Sequence, residues 1–332
     1  MTFMRAFVTG GTGFVGSHLV EELLGRGYEV RCLVRSDPKW LSGLPVETVR
    51  GDLFDADALR EGVRGVDIVH HVAGLTRAAT LDALDRANVE GTVNVLDAVR
   101  ESAPAVESVV VTSSLAACGP SPIVGGQPHP LTEADPLRPI TRYGRSKERM
   151  EAAVQEHYRD LPVTIVRPPP VYGPREADIF TIIKAADKQR VFPIVGEGRI
   201  PQLSLVHVRD LVRGIADLGE SDATAGETYF VSSEQHYSWN EIRDAVLAAL
   251  GRGALKVNVP RPLVGVVGTV AEAVGKAFGA YPPLNREKAR EAKAAWLCSP
   301  AKAQRDVGYR QTVALDEGMR ETVAWYRAHG WL

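Results

Sequence analysis

Residues 9–16 spell Thr9-Gly10-Gly11-Thr12-Gly13-Phe14-Val15-Gly16. A β-branched run precedes this loop, and a helical pattern with apolar residues on one face follows it. In that setting Gly10 permits a tight turn, Gly13 admits a pyrophosphate close to the backbone, and Gly16 lets the helix pack near the strand. The helix N-terminus adds unpaired N–H groups and partial positive charge, so the loop predicts a dinucleotide site.

Strand and helix patterns alternate through the first half of the chain. Short β-branched runs predict strands at Arg5–Thr9, Glu29–Val34, Glu47–Arg50, Asp67–Val72, Ser108–Thr112 and Val163–Val166. Amphipathic patterns predict helices at Gly13–Arg26, Ala56–Val63, Leu81–Glu101 and Arg142–His157. This alternation predicts right-handed crossovers and a doubly wound parallel α/β sheet of the Rossmann type.

After Arg167 the pattern changes to proline clusters and helices, with one short predicted strand at Thr228–Val231. The helices are predicted at Ile179–Gln189, Arg209–Gly219, Trp239–Leu250, Leu263–Phe278 and Leu315–His329. They predict a smaller, mostly helical C-terminal lobe at the carboxyl edge of the sheet, where such sheets bind ligands. We assign residues 1–170, with part of 200–231, to nucleotide binding and residues 171–332 to a discontinuous substrate lobe.

Composition narrows the class of protein. The 332 residues carry a net charge of -2 without a basic block, which argues against nucleic acid as a partner. Three scattered cysteines without a CxxC pair favour a reducing compartment, so we expect a soluble cytoplasmic protein without a bound metal. Residues 262–279 are apolar but interrupted by charges and glycines, which predicts a helix over a pocket rather than a membrane span, and leaves a surface contact with a membrane open.

The end of the second predicted strand bears on the choice of nucleotide. It reads Leu33-Val34-Arg35-Ser36 and lacks the acid that would bind a ribose 2′-hydroxyl, whereas Arg35 suits a 2′-phosphate. NADP is therefore favoured over NAD, although Arg35 could be a solvated loop residue. Asp52 follows the third strand and is expected to bind the adenine amino group, because Asp55 is the better N-cap for the next helix.

Tyr143 and Lys147 stand four residues apart at the start of a predicted helix and therefore share a face. A phenol with a pKa of about 10 is a poor base at neutral pH. A nearby ammonium favours the phenolate, so Tyr143 could exchange a proton with a substrate oxygen. A surface pair is the alternative interpretation of this spacing.

These motifs occur together with others in a fixed order over residues 3–330. The further segments are Gly51-Asp52-Leu53, His71-Val72-Ala73-Gly74, Asn88-Val89-Glu90-Gly91-Thr92, Val111-Thr112-Ser113-Ser114, Tyr143–Lys147 and Arg167–Pro174. With them the chain resembles the extended short-chain dehydrogenase/reductase family, of the NAD-dependent epimerase/dehydratase type. The resemblance implies catalysis by Ser114, Tyr143 and Lys147, with Ser113 as the runner-up to Ser114.

The resemblance also implies contacts with the nucleotide. Lys147 would hold the nicotinamide ribose, Pro168 and Val171 would lie near the nicotinamide, and Asn88 would position Lys147 through water or be a plain polar helix residue. The full predicted set is Gly10, Thr12, Gly13, Phe14, Val15, Gly16, Arg35, Asp52, Leu53, Ala73, Gly74, Asn88, Tyr143, Lys147, Pro168 and Val171.

Several positions bear on which branch of this family the chain resembles. Leu203 stands where sugar-nucleotide enzymes often carry an arginine, and Leu115 and Ala116 offer no acidic pair for a dehydratase. The chain is closer to the dihydroflavonol-reductase and 3β-hydroxysteroid-dehydrogenase branch, although Cys118 replaces a tyrosine that many members carry. We therefore expect an oxidoreductase interconverting an alcohol and a carbonyl on an apolar small molecule. A sugar-nucleotide epimerase and a non-catalytic NADP sensor are the alternatives.

A homodimer is expected by the same analogy. Helices Leu81–Glu101 and Arg142–His157 would pair across a two-fold axis and form a four-helix interface.

Overall fold

The computed structural model describes residues 4–200, 202–265, 269 and 286–332. The strands, in chain order, are β1 (Arg5–Thr9), β2 (Glu29–Val34), β3 (Val46–Arg50), β4 (Ile68–His71), β5 (Ser108–Thr112), β6 (Ile123–Val124), β7 (Gln127–Pro128), β8 (Val163–Val166), β9 (Val171–Tyr172), β10 (Val191–Val195), β11 (Leu203–Ser204), β12 (Val206–His207), β13 (Thr228–Tyr229), β14 (His236–Tyr237) and β15 (Leu255–Val259).

The α-helices with given bounds lie within the described ranges. They are α1 (Phe14–Gly25), α2 (Ala56–Val63), α3 (Leu81–Asp85), α4 (Gly91–Ser102), α5 (Arg142–His157), α6 (Asp178–Lys184), α7 (Val208–Gly219), α8 (Trp239–Leu250), α9 (Arg286–Glu291), α10 (Ala301–Val307) and α11 (Leu315–Ala328). Single π-helical turns at Arg86–Glu90 and Ala185–Gln189 follow α3 and α6.

Seven strands form one sheet in the order β13-β8-β5-β4-β1-β2-β3, and every pair is parallel. In the register, Val8 of β1 lies opposite Cys32 of β2 and His70 of β4. Both faces are covered, since α1 and α7 supply apolar residues to one core and α2, α4 and α5 supply them to another. The predicted doubly wound fold is confirmed, and its strands are apolar because they are buried on both sides.

Among the described residues after β9, the strand β13 joins the seven-stranded sheet. Strand β13 pairs with β8, and α7 packs against α1. The order 3-2-1-4-5 among the first five strands places the reversal point beside β1 and β4. That is where the Gly10–Gly16 loop and the segment after His71 meet, and where ligands bind in doubly wound sheets.

Several predicted elements differ in detail from the structure. The predicted helix Leu81–Glu101 is interrupted by a π-helical turn, and the prediction of a mostly helical lobe missed the pairs β9–β12, β10–β15 and β11–β14. The strands of β9–β12 and β11–β14 have two residues each, too few for a period-2 pattern to stand out. The five-residue strand β10 contains Pro193, which argues against a strand. The predicted helix Leu263–Phe278 lies outside the described residues except at 263–265 and 269.

Within the described ranges, none of the helices combines the length and the apolar character that crossing a bilayer requires.

Candidate active site

The Gly10–Gly16 loop turns sharply between β1 and α1. Gly10 has φ +78°, and a Cβ there would lie 2.6 Å from the Ala73 backbone nitrogen. A Cβ at Gly16 would lie 2.1 Å from the Gly10 carbonyl oxygen. The loop therefore needs glycine at both positions. A side chain at Gly10 would collide with the segment after β4, and one at Gly16 would collide with the loop itself.

The N-terminus of α1 is left open at this loop. Gly13 is its N-cap without a side-chain cap, and its first turn carries no acid. The backbone N–H groups of the first turn have no intrahelical acceptor, and the helix dipole adds partial positive charge there. This is the geometry that binds a phosphate.

A buried chain of hydrogen bonds connects the loop to the π-helical turn. The Ala73 N–H donates to Thr9 Oγ1 (3.4 Å), and the Thr9 hydroxyl lies 2.7 Å from His71 Nδ1. The Thr92 hydroxyl donates to the Asn88 carbonyl (2.7 Å), so it accepts from His71 Nε2 at 2.9 Å. His71 is therefore neutral with its proton on Nε2, consistent with burial lowering its pKa to about 3.

Tyr143 lies beside Ser114. Its helix α5 can approach the turn after Ser114 because residue 144 is glycine, whose Cβ would lie 2.3 Å from the Ala116 carbonyl oxygen. Burial raises the pKa of the Tyr143 phenol to about 12, and the Ser114 hydroxyl, which hydrogen-bonds with it, lowers this value. The phenol is held protonated, as a donor for a substrate oxygen requires.

Lys147 lies one helical turn after Tyr143 and is 5% exposed. Its Nζ donates to the Thr112 carbonyl oxygen (2.8 Å) and lies 3.4 Å from the position that a Cβ at Gly74 would take. Burial lowers the pKa of this ammonium to about 8, and the Glu151 carboxylate opposes that shift. The segment around Gly74, which was predicted to contact the nucleotide, therefore lies next to Lys147.

Ser113 and Ser114 occupy different surroundings. The Ser113 hydroxyl donates to buried Glu151, whereas the Ser114 hydroxyl accepts from the Ala116 N–H (3.1 Å) and faces Tyr143. Adjacent residues in extended backbone point to opposite sides. The geometry therefore brings Ser114, and not Ser113, to the phenol.

Asn88 is completely buried in the π-helical turn. Its amide donates to the Leu75 carbonyl (2.9 Å) and to Ser146 Oγ (2.9 Å), and its Oδ1 accepts from the Leu75 N–H (2.8 Å). Asn88 thus connects the segment after Gly74 to α5 by hydrogen bonds. Its hydrogen bonds are with that segment and with Ser146, one residue before Lys147.

Residues expected at the adenosine end lie near the carboxyl ends of β2 and β3. Arg35 is exposed, and no side-chain partner for it occurs among the described residues. Asp52 is exposed, and its Oδ1 accepts from the Phe54 N–H (2.8 Å), while Asp55 caps α2 as expected through the Ala58 N–H (3.1 Å). Arg35 and Asp52 are therefore both accessible to a ligand.

The segment after β8 lies next to the Ser114 turn. The Pro168 carbonyl accepts from the Leu115 N–H (2.9 Å), and Val171 pairs with Val206 of β12. Cys118 is buried, which raises the pKa of its thiol to about 12. Its thiol is thus unsuited to act as a nucleophile.

A small cleft opens at Tyr143. Its lining consists of Thr76, Arg77, Ala78, Leu84, Thr141, Tyr143, Glu287, Lys288 and Glu291. The Glu291 carboxylate raises the pKa of the Tyr143 phenol slightly further. No local sequence pattern singles out the residues of α9 in this lining, because the fold brings them to Tyr143 from a distant part of the chain.

The sequence profile of the NAD dependent epimerase/dehydratase family matches residues 6–232. The chain belongs to this family. The resemblance to extended short-chain dehydrogenases/reductases is thereby confirmed, and enzymes of the family are nicotinamide-dependent reductases, dehydrogenases and epimerases.

Two named relatives align with this chain over nearly its whole length. A ceramide reductase of Caulobacter vibrioides is 29% identical, covering 98% of this chain and 95% of the relative. A putative dihydroflavonol 4-reductase of Synechocystis is 31% identical, with the same shares covered. The solved structure of DesIV, a dTDP-glucose 4,6-dehydratase of Streptomyces venezuelae with bound NAD, has a TM-score of 0.77 at 26% identity, covering 99% of this chain and 98% of that one.

The residues of this family member fit the nicotinamide dinucleotide that the family uses. The open N-terminus of α1 and the glycine loop suit a pyrophosphate, and Lys147 lies against Gly74 at the opposite end. In the described part of the chain, no group of three or more His, Cys, Asp or Glu residues could hold a metal ion.

Proposed function

We propose that this protein is an NADP-dependent oxidoreductase that interconverts an alcohol and a ketone or aldehyde. The observation that carries the proposal is the Tyr143 phenol, which is held protonated beside Ser114, lies one turn from Lys147 and lines a small cleft. A non-catalytic NADP sensor would have no need of this arrangement.

Each side chain has a distinct task in this proposal. The Ser114 hydroxyl donates to the carbonyl oxygen, and Tyr143 gives that oxygen its proton during reduction. Lys147 holds the nicotinamide ribose and supplies positive charge near the phenol. The bound nucleotide supplies or takes up the hydride. Pro168 and Val171, beside the Ser114 turn, line the nicotinamide side of the site.

The substrate is proposed to carry its carbonyl on a largely apolar body. A ceramide and a dihydroflavonol, which the names of two relatives contain, share that property. Leu203 is buried and pairs with Tyr237, so an apolar side chain fills the position from which an arginine would grip a sugar nucleotide. An epimerase acting on sugar nucleotides is therefore the second choice.

The reaction is tested with purified protein, NADPH and three ketone probes: a 3-oxo fatty acyl amide, a flavanonol and a 3-ketosteroid. Loss of NADPH absorbance with formation of an equal amount of alcohol from any probe supports the proposal. Tightly retained NAD together with inversion at C-4 of UDP-glucose, without net reduction, would instead establish the epimerase.

Ser114→Ala is expected to lower kcat/KM about a hundredfold, because one donor to the reacting oxygen is lost. Ser113→Ala removes a donor to the buried Glu151 and should instead cost about 1–2 kcal/mol of unfolding free energy. Steady-state kinetics and urea unfolding of both variants check this contrast. Equal kinetic losses would show that Ser114 has no special role.

Arg35→Ala is expected to lower the affinity for NADPH about tenfold and to leave that for NADH unchanged, because only NADPH carries a 2′-phosphate. Titration calorimetry with both nucleotides measures this. Arg64→Ala is the matched control, since Arg64 is exposed after α2 and its carbonyl accepts from Arg31 of β2, before the carboxyl end of that strand. An unchanged NADPH preference in Arg35→Ala would show that Arg35 does not bind the 2′-phosphate.

We also propose that residues 1–170 hold the nucleotide, with part of 200–231, that residues 171–332 shape the substrate site, and that the enzyme is a cytoplasmic homodimer. Hydrogen bonds from Arg149 to Asp85 and from Asn88 to Ser146 join α3 and the π-helical turn to α5, and this unit could pair with its copy. Sedimentation as a monomer at micromolar concentration would count against the dimer.

A further inference from the structure

A fully buried carboxylate, that of Glu151, lies behind the catalytic side chains. Its Oε1 accepts from the Ser113 hydroxyl and from Arg167 Nε (3.0 Å). Its Oε2 accepts from Arg167 Nη2 (2.5 Å) and from Nε (3.1 Å). Arg167 is 4% exposed, so this ion pair is almost completely removed from water.

Glu151 and its two partners come from three separate segments of the site. Ser113 directly precedes Ser114 at the end of β5, and Arg167 directly precedes Pro168 after β8. Glu151 lies on α5, one turn after Lys147 and on the same face. A single carboxylate thus joins the chain segments that carry Ser114, Tyr143 with Lys147, and Pro168.

Stability alone is a poor reason for this arrangement. Desolvation of a buried ion pair commonly cancels its Coulomb gain, and apolar side chains in its place are often equally stable. The Arg167 Nη1 nitrogen is buried and has no hydrogen-bond partner among the described residues. The pair is incompletely satisfied, which points to a role in the site rather than in folding.

The charges around Lys147 show what that role is. Tyr143 on the same helix is uncharged, and His71 of β4 is a neutral neighbour whose own pKa Lys147 lowers. Glu151 supplies the negative charge that favours the ammonium, while Arg167 pairs with that carboxylate from the segment after β8. Glu291 faces Tyr143 from α9.

We propose that Glu151 is a positioning residue that joins the three catalytic segments through Ser113 and Arg167 and keeps the buried Lys147 ammonium charged. This inference rests on the proposed function, because it assigns Glu151 a task toward Lys147. Its test uses the titration of Lys147 itself, which needs no substrate and so remains informative if no carbonyl probe is reduced.

The experiment measures the acetylation rate of Lys147 by acetic anhydride against pH, read by peptide mass spectrometry. The exposed Lys184 of α6 is the internal reference. Glu151→Gln should shift the Lys147 titration to lower pH by at least about one unit, since an opposite charge close by is lost. Glu151→Asp retains the charge and should stay near the wild-type midpoint. The Lys184 titration should be the same in all variants.

Glu151→Gln leaves Arg167 unpaired, so the variant could fail to fold. The double variant Glu151→Gln/Arg167→Gln leaves no unpaired buried charge and should show the same direction of shift. An unchanged Lys147 midpoint in either folded variant, as judged by circular dichroism, overturns the proposal. If neither variant folds, the network is a folding element and the assignment to Lys147 is withdrawn. If wild-type protein reduces no probe while the shift occurs, only the proposed function fails.

Discussion

Tyr143→Phe is expected to lower carbonyl reduction about a thousandfold, the contribution typical of a positioned general acid. The phenol is the group whose geometry and protonation suit transfer to a substrate oxygen, because burial raises its pKa to about 12. Phenylalanine keeps the ring and its packing. NADPH affinity, measured by fluorescence titration, should therefore remain close to that of the wild type.

A second tyrosine provides the control for this substitution. The Tyr309 hydroxyl is buried and has no hydrogen-bond partner in the described part of the chain, and the residue is not among those lining the Tyr143 cleft. Tyr309→Phe should retain full activity. Retention of more than a tenth of the wild-type rate in Tyr143→Phe would refute the role of the phenol.

Acid is expected to destabilise the fold through two buried histidines. His70 and His71 are each about 1% exposed, and burial lowers the pKa of both imidazoles from 6.5 to about 3. Below pH 6.5 the unfolded chain binds protons that the folded chain rejects, so stability falls from pH 6.5 downward until about pH 3. At pH 5 each histidine contributes a loss of about 2 kcal/mol, or about 4 kcal/mol together.

His70 isolates half of this effect. Both of its ring nitrogens are buried without a hydrogen-bond partner among the described residues, so leucine can replace it without orphaning a polar group. His70→Leu should remove about 2 kcal/mol of the difference in unfolding free energy between pH 7 and pH 5. Equal pH dependence in wild type and His70→Leu would contradict this account.

Local patterns predicted the fold and the nucleotide loop well. Strands such as Arg5–Thr9 and Ser108–Thr112 occur at the predicted bounds, because each is a short, largely apolar run rich in strand-forming residues. The Gly10–Gly16 loop was recognisable because its glycines stand where a side chain would clash, either within the loop or with the segment after β4.

Other features depend on tertiary contacts that no local pattern contains. Ser113 and Ser114 are chemically identical, and only the position of Glu151 on α5 separates them. The π-helical turn that carries Asn88 accommodates bonds to Leu75 and Ser146, which are distant in the sequence. Glu151 itself was detectable only as a fourth-residue neighbour of Lys147, a spacing too common in helices to single it out.

The most direct test of the account follows the hydride and the proton together. Wild-type protein is incubated with NADPH deuterated at C4 of the nicotinamide and with the 3-oxo fatty acyl amide, flavanonol and 3-ketosteroid probes, and the alcohol is analysed by mass spectrometry. The account predicts one deuterium on the former carbonyl carbon of at least one probe, and almost no labelled alcohol with Tyr143→Phe. Labelled alcohol formed equally by both proteins, or no reduction of any probe, would contradict it.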